Sequence, residues 1–411
     1  MTKPTGHVLG FLLAVFATGY LLSSLLRGVT AALAPYFTQE FAVTPAELGL
    51  LAGSYFASFA LMQLPMGMLL DRYGVRLVLV WSLTIAAISC VFFAIATSFQ
   101  GLFWARLLSG IGVSACLIAP LTAARLWTAA ALQQRVNSWM LMSGALGLLL
   151  GTLPSESVAD VFGWRALFVA VSVFFAIVAG LIAVFAPKEH QMPQMKGGVF
   201  AGYAPIIASP FTWKIGALGL LNYAILVAVQ TLWIGPWLTE VSGETTRGAS
   251  IGLLYVNTLM LAIFLVMGYL SPRIVKSADD AELLLRRLAP ASIAVLIWIA
   301  LLGADAQWYH FAIYCAAAWP LSVTHPLVGQ RFSPEQAGRA IAFFNLLLFV
   351  GVFAWQWSFG LIVTSFTPSL GLEGAYQLAL AILAGLSILG YAFFTLYRRA
   401  PAIDLPVQME K

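Results

Sequence analysis

Charged side chains in this chain are confined to short intervals between long apolar runs, and the first run sets the pattern: from residue 8 to residue 34 the only charge is Arg27. Twelve such runs can be drawn, at about 8–34, 46–70, 77–97, 100–125, 136–159, 165–186, 212–238, 248–270, 286–304, 307–328, 338–364 and 372–397. A helix crossing a bilayer needs about 20 consecutive apolar residues, because a backbone in hydrocarbon must satisfy its own hydrogen bonds. Soluble domains carry about a quarter charged residues; here 9% are charged and 61% hydrophobic. That balance excludes a water-soluble enzyme or nucleic-acid binder. The expected fold is an all-α polytopic membrane protein with 12 transmembrane helices.

The net charge of +5 matters less than its distribution. With the N-terminus inside, seventeen of the 21 Lys and Arg fall at cytoplasmic positions and only Arg165 and Arg247 outside; Arg27 and Arg106 lie within spans. Cytoplasmic loops of membrane proteins are enriched in Lys and Arg, so both termini are expected in the cytoplasm and the first span is expected to be retained. The longest polar interval, 187–211, divides the chain into six-span halves at 1–186 and 212–411. These halves repeat: Pro35-x-x-Thr38 matches Pro236-x-x-Thr239, and Gly67-x-x-x-Asp71-Arg72 matches Gly268-x-x-x-Pro272-Arg273, both at an offset of 201. Cys90, Cys116 and Cys315 sit in apolar runs without metal-ligand spacing and are read as packing residues. No nucleotide-binding glycine loop occurs, and no nucleophile–base pair lies at membrane depth. The expectation is no enzyme, no cofactor and no metal.

The most specific motif is Gly67-Met-Leu-Leu-Asp71-Arg72-Tyr-Gly74-Val-Arg76, after the second span. With Arg106-Leu-Leu-Ser-Gly110-Ile-Gly112, Gly163-Trp164-Arg165, the loop from Trp127 to Arg135, and Phe332-Ser-Pro334-Glu335-Gln-Ala-Gly338-Arg339, it resembles the major facilitator superfamily of secondary transporters over nearly the whole chain. The resemblance implies two pseudo-symmetric six-helix bundles rocking around a central site. It also implies a cytoplasmic latch made by Gly67, Asp71, Arg72 and Arg76, with Asp71 facing the start of span 11 near Arg339. In the second half Pro272 replaces the acid. Drug/proton antiporters carry a Gly-Pro pair in span 5, whereas this chain reads Gly144-Ala-Leu-Gly147-Leu-Leu-Leu-Gly151-Thr-Leu-Pro154. A drug or metabolite exporter is therefore the alternative to the leading reading.

An arginine inside a bilayer is costly and normally faces the bundle interior. Arg27 shares a helical face with Tyr20, Ser23 or Ser24, and Thr30, and its planar fork of donors suits a carboxylate or phosphate. All sixteen acids are assigned to the inner or outer side of the membrane, Glu156 to the outer, and none to its middle, so the cavity is expected to be positive and its cargo anionic. Leu26-Arg27 followed by Pro35-Tyr36-Phe37 resembles span 1 of organophosphate antiporters and anion symporters, which implies that Arg27 grips the substrate anion. Those carriers have a second arginine in span 7; here Asn222, Gln230, Trp233 and Trp237 stand there instead, which points to a small, singly charged organic anion. Gln230 and Trp233 are expected to line the cavity, and Trp237 to lie in the interfacial belt. Tyr55, Asn257, Asn345 and Gln356 suit either cargo contact or helix–helix bonding, and Arg106 either cargo, proton coupling or bracing. His325 is the one histidine placed to titrate near the cavity, with His7, His190 and His310 expected in solvent. The sequence thus predicts a monomeric multi-pass carrier of the bacterial inner membrane, a symporter or antiporter of a small organic anion. Its partners would be that solute and lipid, with no nucleic acid and the coupling ion unassigned.

Overall fold

The computed structural model describes residues 6–128, 130–187, 202–275 and 277–397. The described chain is almost entirely helical and contains no strand. Among the described residues nine helices are long and apolar enough to cross a membrane, and a bent pair makes a tenth. Two of the nine are double crossings joined at a single glycine, which brings the described residues to the twelve crossings predicted. Gly74 (φ 78°, ψ 164°) breaks Pro45–Ala94, and Gly371 (φ 71°, ψ 170°) breaks Pro334–Leu396. Both adopt a positive φ that other residues rarely tolerate.

The crossings are α1 (Gly6–Phe41), α2 (45–73), α3 (75–94), α4 (Phe99–Trp127), α5 (Arg135–Leu150 and Leu153–Phe162, bent by 42°), α6 (Trp164–Phe185), α7 (Pro210–Val241), α8 (Thr246–Ile274), α9 (Ala278–Leu302), α10 (Trp308–Arg331), α11 (334–370) and α12 (372–396). Helix α2 opens with a capping box in which Thr44 and Glu47 satisfy each other's free backbone N–H, as expected at a helix N-terminus. The bend in α5 follows Gly151-Thr152 and precedes Pro154, a local cause for lost helical hydrogen bonds. Three π-helical turns, Gly219–Tyr223, Val229–Trp233 and Trp237–Val241, punctuate α7; such turns cluster at functional sites.

Most of the predicted divider, 187–211, lies outside the described residues, including Lys188, His190 and Lys196. Two apolar cores are present, one built chiefly from α1–α6 and one chiefly from α7–α12. Each borrows residues across the boundary: Ala224, Ala228, Leu348 and Val352 join the first, and Ala31, Leu48 and Ala52 the second.

Small residues allow the closest approaches. On α5, Gly144, Gly147 and Gly151 lie against Tyr20, Leu21, Ser24 and Leu25 of α1, so a methyl group at Gly147 would strike the Leu21 carbonyl. In membranes such stripes let helix backbones pack directly. A second set closes one end of the molecule. Gly49 of α2 packs on the backbone of Gln356 and Trp357, Gly360 of α11 on Pro45, and Gly235 of α7 on Ala31 of α1. The Ala46 N–H donates to Thr364 Oγ1 at 3.0 Å across the same junction. At the opposite end no neighbouring element among the described residues comes within 4 Å of the Cβ position of either Gly67 or Gly338.

Candidate substrate site

Arg27 sits midway along α1, partly buried, with its guanidinium 5.9 Å from the Phe59 ring centre. Tyr20 and Tyr55 are its polar neighbours. Its Nε is fully buried with no hydrogen-bond partner. The two ion pairs among the described residues, Arg165–Glu40 and Lys214–Glu282, leave Arg27 without a carboxylate. A cation held this way is normally paired, so the site has an unmet demand for negative charge.

The neighbouring cation is differently placed. Arg106 on α4 is 1% exposed; its Nη1 donates to Leu26 O at 2.9 Å and its Nη2 to Thr30 Oγ1. The guanidinium lies over the rings of Tyr55 (5.4 Å) and Phe93 (5.8 Å). These contacts lash α4 to α1 on both sides of Arg27 and are those of a brace. Tyr55 completes the support by donating its hydroxyl to Ser23 O at 3.2 Å. Ser24 faces the α5 glycines.

Across from Arg27, Tyr223 of α7 lies within electrostatic reach of both Arg27 and Tyr20. Its ring meets that of His325 on α10 edge-on at 5.7 Å. His325 Nε2 lies 2.8 Å from Asn345 Oδ1 of α11, and the Phe344 ring stands 5.1 Å from the imidazole. An amide oxygen only accepts, so Nε2 carries the proton and Nδ1 the lone pair. Phe59 meets Phe349 of α11 at 4.8 Å, which adds an aromatic wall between the two halves. Tyr223 thus neighbours Arg27 on one side and the hydrogen-bonded His325–Asn345 pair on the other. Tyr223, Phe59 and Phe349 were missed in the sequence, although Phe59 lies one helical turn beyond Tyr55.

Other predicted site residues lie elsewhere. Asn222 turns away from this group and donates to Ser387 O of α12 at 3.0 Å. Gln230 donates to Asn257 Oδ1 at 3.1 Å, and Gln356 to Thr231 Oγ1 at 3.1 Å. Trp233 is stacked on Phe359 at 4.3 Å. Trp237, expected in an interfacial belt, is instead 1% exposed and packed on Phe311 and Tyr376. His310, expected in solvent, is buried, and its Nδ1 accepts from the Gln307 N–H at 2.9 Å. Glu156, expected in an outer loop, is 3% exposed where α5 resumes after its bend. It faces a cleft of about 380 Å³ shared with Tyr36, Asp160 and Arg247.

The expected latch is not assembled in this conformation. Asp71 is exposed and bonds to no described residue. Arg72 lies over the adjacent Tyr73 ring at 5.1 Å, Arg76 donates to Ala183 O, and Arg339 lies against Gly202.

The profile of the Major Facilitator Superfamily matches residues 16–355. The chain belongs to the major facilitator superfamily. Among curated relatives of this superfamily member, the 4-hydroxybenzoate transporter PcaK of Acinetobacter baylyi is 22% identical over 81% of this chain and 82% of its own length. The niacin transporter NiaP of the same organism is 27% identical over 44% of this chain and 40% of its own. Against several curated relatives the match spans less than half of their length. A bacterial homolog of the human lysosomal transporter Spinster, solved in an inward-facing and occupied conformation, shares the fold at TM-score 0.77, with 17% identity over 97% of this chain and 100% of that one. This major facilitator is a multi-pass membrane protein.

Proposed function

We propose that the protein is a secondary transporter of small aromatic monocarboxylates in the bacterial inner membrane. One observation carries the reading: among the described residues a guanidinium inside the membrane domain, Arg27, has no carboxylate partner and a fully buried Nε without an acceptor. A carboxylate matches its fork of donors, and a single arginine without a second in α7 suits one negative charge rather than two. The rings of Phe59, Phe349 and Tyr223 supply walls on which a flat apolar body packs. Both relatives named above, a 4-hydroxybenzoate and a niacin transporter, are described by aromatic solutes of this kind.

Transport proceeds by alternating access, with the halves 1–186 and 212–411 rocking around a site near the membrane midplane. In this scheme the end at Pro45 and Thr364 is extracellular and closed, and the end at Asp71 and Arg339 faces the cytoplasm and is open. The test is uptake of radiolabelled 4-hydroxybenzoate and nicotinate into proteoliposomes. Arg27→Gln is expected to abolish uptake of both while the protein remains folded. Uptake close to that of wild type would overturn the proposal.

A further inference from the structure

We infer that His325 and Asn345 form a subsite that reads a hydroxyl group at the far end of the cargo. The inference rests on the reading that an aromatic carboxylate docks at Arg27. A single side chain, Tyr223, separates that cation from the pair: it lies within electrostatic reach of Arg27 and meets the His325 ring at 5.7 Å. An aromatic acid reaching both would place its carboxylate at Arg27 and its opposite substituent at the pair.

The chemistry of the pair sets what that substituent is. Their mutual hydrogen bond uses His325 Nε2–H and Asn345 Oδ1. Left over are one acceptor, His325 Nδ1, and one donor group, Asn345 Nδ2–H₂. Neither has a partner among the described residues, and neither is among the fully buried atoms, so both remain open to an incoming group. A hydroxyl is the smallest substituent that donates and accepts at once, and it satisfies both. A methyl group satisfies neither and strands two polar groups in an apolar setting, the circumstance in which sites built for a hydroxyl reject its absence. The pair carries no formal positive charge with His325 neutral, so it does not compete with Arg27 for the carboxylate.

Binding of benzoate, 4-methylbenzoate and 4-hydroxybenzoate to the detergent-purified full chain, followed by calorimetry, tests this. Wild type is expected to prefer 4-hydroxybenzoate over 4-methylbenzoate by about 5- to 150-fold, the range for leaving buried polar groups unpaired. His325→Phe keeps a ring against Tyr223 and Phe344, and Asn345→Leu keeps the volume of the amide; each is expected to erase that preference while benzoate affinity changes by less than about threefold. Retained benzoate binding also shows that each variant is folded. A hydroxyl preference that survives in both variants, or is missing in wild type that binds benzoate, would overturn the subsite and leave the transport reading intact. Wild type that binds none of the three would overturn both.

Discussion

Substituting Gly49 with alanine puts a methyl group where α2 touches the backbone of α11. At the Cβ position the nearest neighbours include the Gln356 carbonyl carbon at 3.0 Å and Trp357 Cα at 3.1 Å. These are main-chain atoms, so no rotamer change relieves the contact. Overpacking of this kind costs about 1–3 kcal/mol, and the cost applies only while the Pro45 end is closed. The ratio of closed to open at that end is therefore expected to fall about 5- to 150-fold. The same change favours helix formation by about 1 kcal/mol, but that gain is common to both conformations and cancels from the ratio. A cysteine placed by Ala52→Cys, at a position buried in the closed junction, provides the readout. Its labelling by a membrane-impermeant maleimide applied to the Pro45 side should accelerate in the Gly49→Ala background. The native Cys90, Cys116 and Cys315 are all buried and supply little background. An unchanged labelling rate in folded protein would refute the idea that this glycine contact holds the end shut.

Gly67→Ala should act in the opposite sense: the site is open here, so the substitution leaves this conformation untouched and penalises only a state in which α2 and α11 close at the Asp71 end. Slower labelling at Ala52→Cys would report it. Thr30→Val removes the acceptor of Arg106 Nη2 and is expected to destabilise the fold by about 1–3 kcal/mol, the cost of an unsatisfied buried donor, seen as a lower unfolding temperature in detergent. Glu282→Gln strands the ammonium of Lys214, which is 5% exposed and 2.5 Å from the carboxylate. The Glu282 side chain is 24% exposed, so the cost falls below the roughly 3–5 kcal/mol of a fully buried pair, and a lowered unfolding temperature is the expected result.

The crossings were legible because burying a backbone in hydrocarbon demands long apolar runs, and the structure follows them closely. The two intervals left between spans 2 and 3 and between spans 11 and 12 shrink to single glycines, since one residue with a positive φ is enough to reverse the chain at Gly74 and Gly371. The π-helical turns of α7 left no periodic trace, because they alter hydrogen-bond register without changing which residues are apolar. Partner identity was the main loss. Arg106 was flagged as an intramembrane cation, but its acceptors, Leu26 O and Thr30 Oγ1, lie on another helix some 80 positions earlier. The same holds for His325 and Asn345, each visible alone yet joined only by the packing of α10 on α11. Trp237 reads as a belt residue from its position near a span end, and only the rings of Phe311 and Tyr376 reveal it as core. Arg27 was the clearest signal in the sequence, being the sole charge of its run.

That arginine also admits the most direct test of the account: thermal unfolding of wild type and Arg27→Gln, each with and without saturating 4-hydroxybenzoate. A ligand that binds only the folded state raises the unfolding temperature by mass action. Removing an intramembrane charge that has no carboxylate partner among the described residues relieves an uncompensated cost. The account predicts that ligand-free Arg27→Gln unfolds at or above the wild-type temperature and that the ligand-induced rise, present in wild type, disappears. A variant that unfolds at a lower temperature yet keeps the full rise would show that Arg27 holds the helices together and does not hold the cargo.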